Sequence, residues 1–279
     1  LPLNAYINIP ISEFFSPTAT KPIPPVSVAS IPMSIASQSL ERFPVLGIPV
    51  HLHDNYSHWL TERLEERVGT HVVTLNSEMV MLARQDQTVA ALIRQADLVI
   101  PDGAGIVLYL RLRDRRIPRC PGIELVETLL QRLDGNHPVF FYGGKPGVAA
   151  AAAQRWQDRS PQLAIAGTQH GYLRPEEEEH LTTTLQTSQP HLILVGLGVP
   201  RQEQWICQHR HLCPQATWVG VGGSFDIWAG LKSRAPNWLR DNHLEWVYRL
   251  YQEPWRWQRM LALPRFAWQA LWERSCPLN

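Results

Sequence analysis

The sequence predicts an α/β fold: a Rossmann-like, mostly parallel sheet with helices on both faces, followed by a helical C-terminal appendage. Two patterns predict the sheet. Short apolar runs alternate with longer segments of helical spacing, and glycine-rich stretches directly follow several of those runs. A third pattern predicts the appendage: six of the eleven tryptophans fall from Trp238 onward, in a region without strand-like runs.

Residues 1–43 hold seven prolines, many serines and few charges, with no sustained periodicity. Such a stretch buries too little apolar surface to offset its ordering entropy, so it reads as a flexible tail. From Val45 the pattern changes. VLGIPV (45–50), HVVTL (71–75), DLVI (97–100), HPVFFY (137–142), QLAIAG (162–167), HLILVG (191–196) and ATWVGVG (216–222) read as strands. Segments between them, such as Ser57–Arg67 and Val148–Arg159, carry apolar residues at helical spacing, as crossover helices do. The α/β domain therefore spans 44–232. After Ala235-Pro236, Leu239–Leu250 and Trp255–Trp272 read as helices broken at Pro254 and Pro264. They are rich in Trp and Arg and form the appendage, 233–279.

The bulk numbers narrow the function. With 279 residues, 44% hydrophobic and 18% charged, the chain can bury a substantial core in one large domain or two small ones. A net charge of +1 gives no general attraction for nucleic acid. Four scattered cysteines without a CxxC pair suit a reducing compartment. No run of about 18 apolar residues is present to span a bilayer, and no signal-peptide pattern opens the chain. The expected setting is the cytoplasm.

In a parallel sheet, ligands bind beyond the carboxyl ends of the strands. Five such segments share one logic: Thr74-Leu75-Asn76, Asp102-Gly103-Ala104-Gly105, Gly143-Gly144-Lys145-Pro146-Gly147, Gly196–Glu203 and Gly222–Asp226. Glycine lets backbone approach a ligand closely, and helix N-termini aim free N–H groups at negative charge. Together they favour a phosphate-bearing ligand. The spacing excludes GxxxxGK[ST], and Arg201 stands where GxGxxG needs its third glycine. VGVGG (219–223) keeps a nicotinamide-dependent oxidoreductase open as an alternative. Asp102, at a strand end and followed by glycines, reads either as a general base or as the cap of the next helix.

No metal is expected. The pairs His51/His53 and His209/His211 read as strand or helix surface residues without a third ligand at metal-site spacing. There is no DxD. A leaving diphosphate would then meet backbone amides and arginines. The appendage supplies Arg249, Arg256, Arg259 and Arg265, interleaved with Trp246, Trp255, Trp257 and Trp268. That mixture suits a membrane interface; the alternative is a helical hairpin packing its indoles on the core.

Set side by side, the motifs resemble the WecG/TagA/CpsF glycosyltransferase family of bacterial cell-surface polymer synthesis. The matching pieces are TLN (74–76), PDGAGIV (101–107), RCPGIEL (119–125), FYGGKPGVA (141–149), GYL (171–173), LILVGLGVPRQEQWI (192–206), VGVGGSFDIWAG (219–230), RAPNW (234–238) and LEWVYRLYQEPWRWQR (244–259). The resemblance implies inverting transfer of an N-acetylmannosamine-type sugar, without a cofactor, from a UDP donor to polyprenyl-diphosphate-linked N-acetylglucosamine. It implies peripheral association with the inner face of the cytoplasmic membrane. It makes Asp102 the base, puts Thr74 and Asn76 near the sugar pocket, and makes Arg119 and Gln202 substrate-binding residues. Arg249, Arg256 and Arg259 would reach the diphosphate, with Asp226 near the pocket. The amides of Gly143, Gly144 and Gly198 would help hold the departing UDP. The chain has Glu124 where the family usually has Asp, and Cys120 where an aliphatic residue is usual. A non-catalytic membrane scaffold is a second alternative, and a homo-oligomer stays open because the appendage can dock on its own subunit or a neighbour's.

Overall fold

The computed structural model describes residues 40–275. Most of the expected tail, residues 1–39, lies outside the described residues, as does Cys276. Two short strands come first, β1 (Arg42–Val45) and β2 (Ile48–His51). The segment expected as one sheet strand, 45–50, is instead the turn of this antiparallel hairpin: Leu46 and Gly47 both take positive φ. One chain reversal in six residues leaves no length for a crossover, so β1 and β2 pair antiparallel, and they form a sheet of their own.

The main sheet has six strands, β3 (Thr70–Leu75), β4 (Leu98–Pro101), β5 (Val139–Gly143), β6 (Ile165–Gln169), β7 (Leu192–Gly196) and β8 (Thr217–Gly220). Their order is β4-β3-β8-β7-β5-β6, with every pair parallel. The strand expected at 162–167 starts later, at Ile165, beyond a turn around Ser160.

Helix α1 (Tyr56–Glu65) precedes β3, and α2 (Ser77–Gln85) and α3 (Gln87–Arg94) link β3 to β4. α4 (Ala104–Arg111) and α5 (Gly122–Arg132) follow β4; α6 (Val148–Arg159), α7 (Pro175–Ser188) and α8 (Arg201–His209) are the next three crossovers. After β8 come α9 (Ser224–Trp228), α10 (Asn237–Asp241), α11 (Glu245–Gln252), α12 (Trp257–Met260) and α13 (Ala262–Ser275).

Burial on both faces explains why the strands read as unbroken apolar runs. Val72, Phe141, Leu192 and Leu194 pack on one side with α1, α5, α6 and α9. Their strand neighbours Val73, Phe140, Ile193 and Val195 face the other side, where α2, α3, α4, α7 and α8 lie. Successive side chains point to opposite faces, so one strand serves two cores.

Within the appendage, Phe266 and Ala270 of α13 are buried in the core shared with α2 and α4. The appendage thus docks on its own chain. Pro254 ends the helical path after α11, as expected, but Pro264 does not break one. It lies in the first turn of α13, where its missing N–H has no intrahelical acceptor to lose. His51 is not a surface residue either. It is buried, its Nδ1 accepts from the Val99 N–H at 2.8 Å, and burial lowers its pKa to about 4. A neutral ring thereby fastens the hairpin to β4. His209 stacks on Trp205 with ring centroids 4.3 Å apart.

Candidate active site

Asn76 follows β3 and caps α2, its Oδ1 accepting from the Met79 N–H at 3.0 Å. The next strand delivers Asp102 beside it, because the Asp102 N–H donates to the Leu75 carbonyl at 3.0 Å. Two helix starts therefore crowd together, which decides the glycines of the DGAG segment. A Cβ on Gly105 would come 2.2 Å from Ser77 Oγ, and one on Gly103 would come 3.0 Å from Asn76 Cβ. A side chain at Gly105 would have to displace the Ser77 hydroxyl, and one at Gly103 would press on Asn76.

The Asp102 side chain does not cap α4, whose N-cap is Gly103 without a side-chain bond. Its Oδ1 accepts instead from the Gly122 N–H at 3.0 Å, at the start of α5. Thr74 holds that helix start in place: a Cβ on Gly122 would come 2.5 Å from Thr74 Cγ2. Burial pushes the Asp102 carboxyl above the usual carboxylate range, and Glu245 adds to the rise. Arg249, the Gly122 N–H and Arg119 pull the other way.

Asp102 opens on a cavity of about 420 Å³ that also receives Asn76, Arg119, Arg249 and Arg256. Sequence reasoning missed one member, Glu245 at the start of α11. It accepts from Arg249 at 2.9 Å and lies 3.8 Å from Arg119. Burial opposes its charge, but Arg249, Arg234 and Arg119 outweigh burial and hold its pKa below the usual range. Its spacing of four residues before Arg249 is the one signal that could have found it. Arg256 pairs with Glu253 at 2.9 Å. Glu124 accepts from Arg234 and Arg240. Cys120 lies nearby, its thiol pushed up to about 12 by burial first and then by Asp102 and Glu124.

The remaining candidates do not line this cavity. Thr74 lies behind Gly122, and Arg259 reaches the rim through an ion pair with Glu78. Gly143 and Gly144 take positive φ, and a Cβ on Gly143 would come 2.4 Å from the Gly196 carbonyl oxygen. Asp226 pairs with Lys232 at 2.6 Å. Gln202 is buried; its Oε1 accepts from the Gly198 and Gly222 N–H groups at 3.1 and 3.0 Å. It thus ties together the loops that leave β7 and β8.

Gln202 also donates to Glu203 Oε1 at 3.0 Å. Glu203 is 1% exposed, its Oε2 has no hydrogen-bond partner among the described residues, and burial raises its pKa to about 7. The folded state therefore holds this proton more tightly than the unfolded chain does. That stabilisation is fully present below the ordinary Glu range and is lost as pH rises through about 7. Glu203→Gln should flatten the decline in thermal midpoint between pH 5 and 8 and raise the midpoint at pH 8. An unchanged pH profile would show that Glu203 does not carry it.

Among the described residues, no helix is long and apolar enough to cross a membrane. A family model described as the glycosyl transferase WecG/TagA/CpsF family matches residues 43–278. Three similar proteins carry the name N-acetylglucosaminyldiphosphoundecaprenol N-acetyl-beta-D-mannosaminyltransferase. The protein from Bacillus spizizenii is 38% identical over 212 residues, 75% of this chain and 82% of that protein. That from Bacillus subtilis is 33% identical over 214 residues, 76% of this chain and 83% of that protein. One from Staphylococcus aureus is 36% identical over 200 residues, 71% and 78% of the two chains. None of these matches points to a nicotinamide-dependent oxidoreductase.

Proposed function

Because the chain belongs to the WecG/TagA/CpsF glycosyl transferase family, we propose that it moves an N-acetylmannosamine-type sugar, or a related uronate, from UDP to polyprenyl-diphosphate-linked N-acetylglucosamine. The observation that carries this reading is the shared cavity: of its three carboxylates, Glu78 and Glu245 are paired with arginines, and Asp102 faces it beside Arg119, Arg249 and Arg256 with no ion pair of its own among the described residues. Asp102 takes the proton of the acceptor hydroxyl as its oxygen attacks the anomeric carbon. The bond to the UDP oxygen breaks from the opposite side, so the configuration inverts. UDP leaves with the bonding electrons, and the arginines meet its growing charge in place of a divalent ion. Asn76 meets the sugars in the cavity, while Thr74 acts from behind through Gly122 and Gln202 through the Gly198 and Gly222 loops that it joins.

Peripheral attachment to the inner face of the cytoplasmic membrane accompanies this chemistry. Trp238, Trp255, Trp257, Trp268 and Trp272 of the appendage are exposed. Indoles beside guanidinium groups suit the headgroup layer, where a lipid-linked acceptor resides.

The test is a panel of UDP-N-acetylhexosamines and uronates assayed with a short polyprenyl-diphosphate-N-acetylglucosamine, with and without chelator. The expected product from one donor has inverted anomeric configuration and forms at the same rate in chelator. Retained configuration, or loss of transfer on chelation, would overturn the mechanism.

A further inference from the structure

The cavity has two chemically different ends, and the reaction proposed above uses only one. Its charged lining residues come from α2, the β4 end, Arg119 and the stretch 245–256. The lining residues from α4, its C-cap Leu112 and α13 are apolar apart from Tyr109. The Tyr109 hydroxyl donates to Glu273, so it offers little to a ligand.

Leu108 is 58% exposed and Leu271 55%, although both face a concavity. Apolar side chains that line a hollow and stay in contact with water are an unfavourable surface unless a ligand covers them. The hollow is also held open. Arg113 donates to Glu273 at 3.1 Å and to the Ala270 carbonyl, and its guanidinium lies 3.7 Å from the Tyr109 ring centroid. This three-residue latch fixes the spacing of α4 and α13.

We propose that this apolar end, between α4 and α13, seats the first isoprene units of the acceptor's polyprenyl chain. The assignment rests on the acceptor class proposed above. An occupant that satisfies both ends needs an anionic head for Arg119, Arg249 and Arg256 and a branched hydrocarbon for Leu108, Leu112, Leu263 and Phe266. A polyprenyl diphosphate has both. A nucleotide would set ribose and base against leucines, and a plain acyl chain would bring no diphosphate to the arginine end. Chain beyond the hollow leaves past Leu271, beside Trp268 and Trp272, which stack 6.5 Å apart on the same helix. Their indoles suit the depth at which such a chain enters a bilayer.

Binding to the full chain is read by tryptophan fluorescence, since Trp246 lines the cavity. The probes are farnesyl diphosphate, inorganic diphosphate and farnesol. Farnesyl diphosphate should bind at least about tenfold more tightly than inorganic diphosphate, the gain expected from covering a few apolar carbons. Leu108→Asp and Leu271→Asp, on opposite walls, should each shrink that ratio below about threefold. Equal affinities in the unaltered chain, or a ratio that persists in either variant, would overturn the subsite. Tight binding of farnesol alone would also count against it, because the head must contribute. The binding ratio and sugar transfer fail separately: no transfer with an intact ratio sinks the proposed reaction, and normal transfer without the ratio sinks only the tail subsite.

Discussion

Replacing Asp102 with Asn is expected to lower kcat about 10²–10⁴-fold, the usual scale for losing a general base, with little change in thermal midpoint. Asn keeps the shape and can still accept from the Gly122 N–H, so the junction of β4, α4 and α5 survives. What goes is the ability to take a proton. The carboxyl sits above the usual carboxylate range because burial outweighs Arg249, Gly122 and Arg119. The raised position brings its basicity closer to what a neutral-pH base needs. In the unaltered chain, kcat/KM should fall on the acid side as this group protonates, at a pH above the ordinary Asp value of about 3.9. That limb should vanish in the variant. A variant with near-normal turnover, or with the acid limb intact, would remove Asp102 from the chemistry.

The second large effect belongs to Arg249. Its replacement by Ala should reduce kcat/KM about 10²–10³-fold, as when one preorganised donor to a developing anion is lost. Arg249→Lys should recover only part of this, because an ammonium lacks the two-pronged geometry that matches phosphate oxygens. Arg249 is also the strongest of the influences that lower the Asp102 pKa. Its removal should therefore move the acid limb to higher pH. A structural role in α11 alone would lower the thermal midpoint but leave kcat/KM per folded molecule near normal, so activity corrected for the folded fraction separates the two.

The sheet was legible because its strands are buried on both faces, which writes them as unbroken apolar runs. HVVTL, DLVI and HLILV are of this kind, and the observed strands fall on them. The hairpin was not, because Leu46-Gly47 interrupts a run that otherwise looks like one strand. The left-handed conformation of Leu46 is a property of the turn rather than of the residue. Pro264 was misread because a proline that starts a helix and one that ends it look alike until the register is known. In the site, Asp102 and Arg119 were visible from short motifs. Glu245 was not, since a carboxylate four residues before an arginine is commonplace on helix surfaces and only the placement of α11 beside Arg119 makes it half-buried. Tertiary placement likewise decides that Gln202 joins two loops, a job its position in PRQE does not announce.

The cavity takes a large part of its wall from residues 243–271, the stretch translated after all six strands of the sheet. Chains are made at roughly 5–20 residues per second, and earlier parts fold first. A nascent chain can thus complete its sheet, and bring Asp102 to its place, while the arginine-bearing wall is still unmade. During that interval it has no enclosed pocket in which to hold a sugar donor. Competence arrives late and in one step, when α11 to α13 settle on α2 and α4. A chain that stops before Arg249 would carry the sheet and Asp102 but lack the arginine-bearing wall.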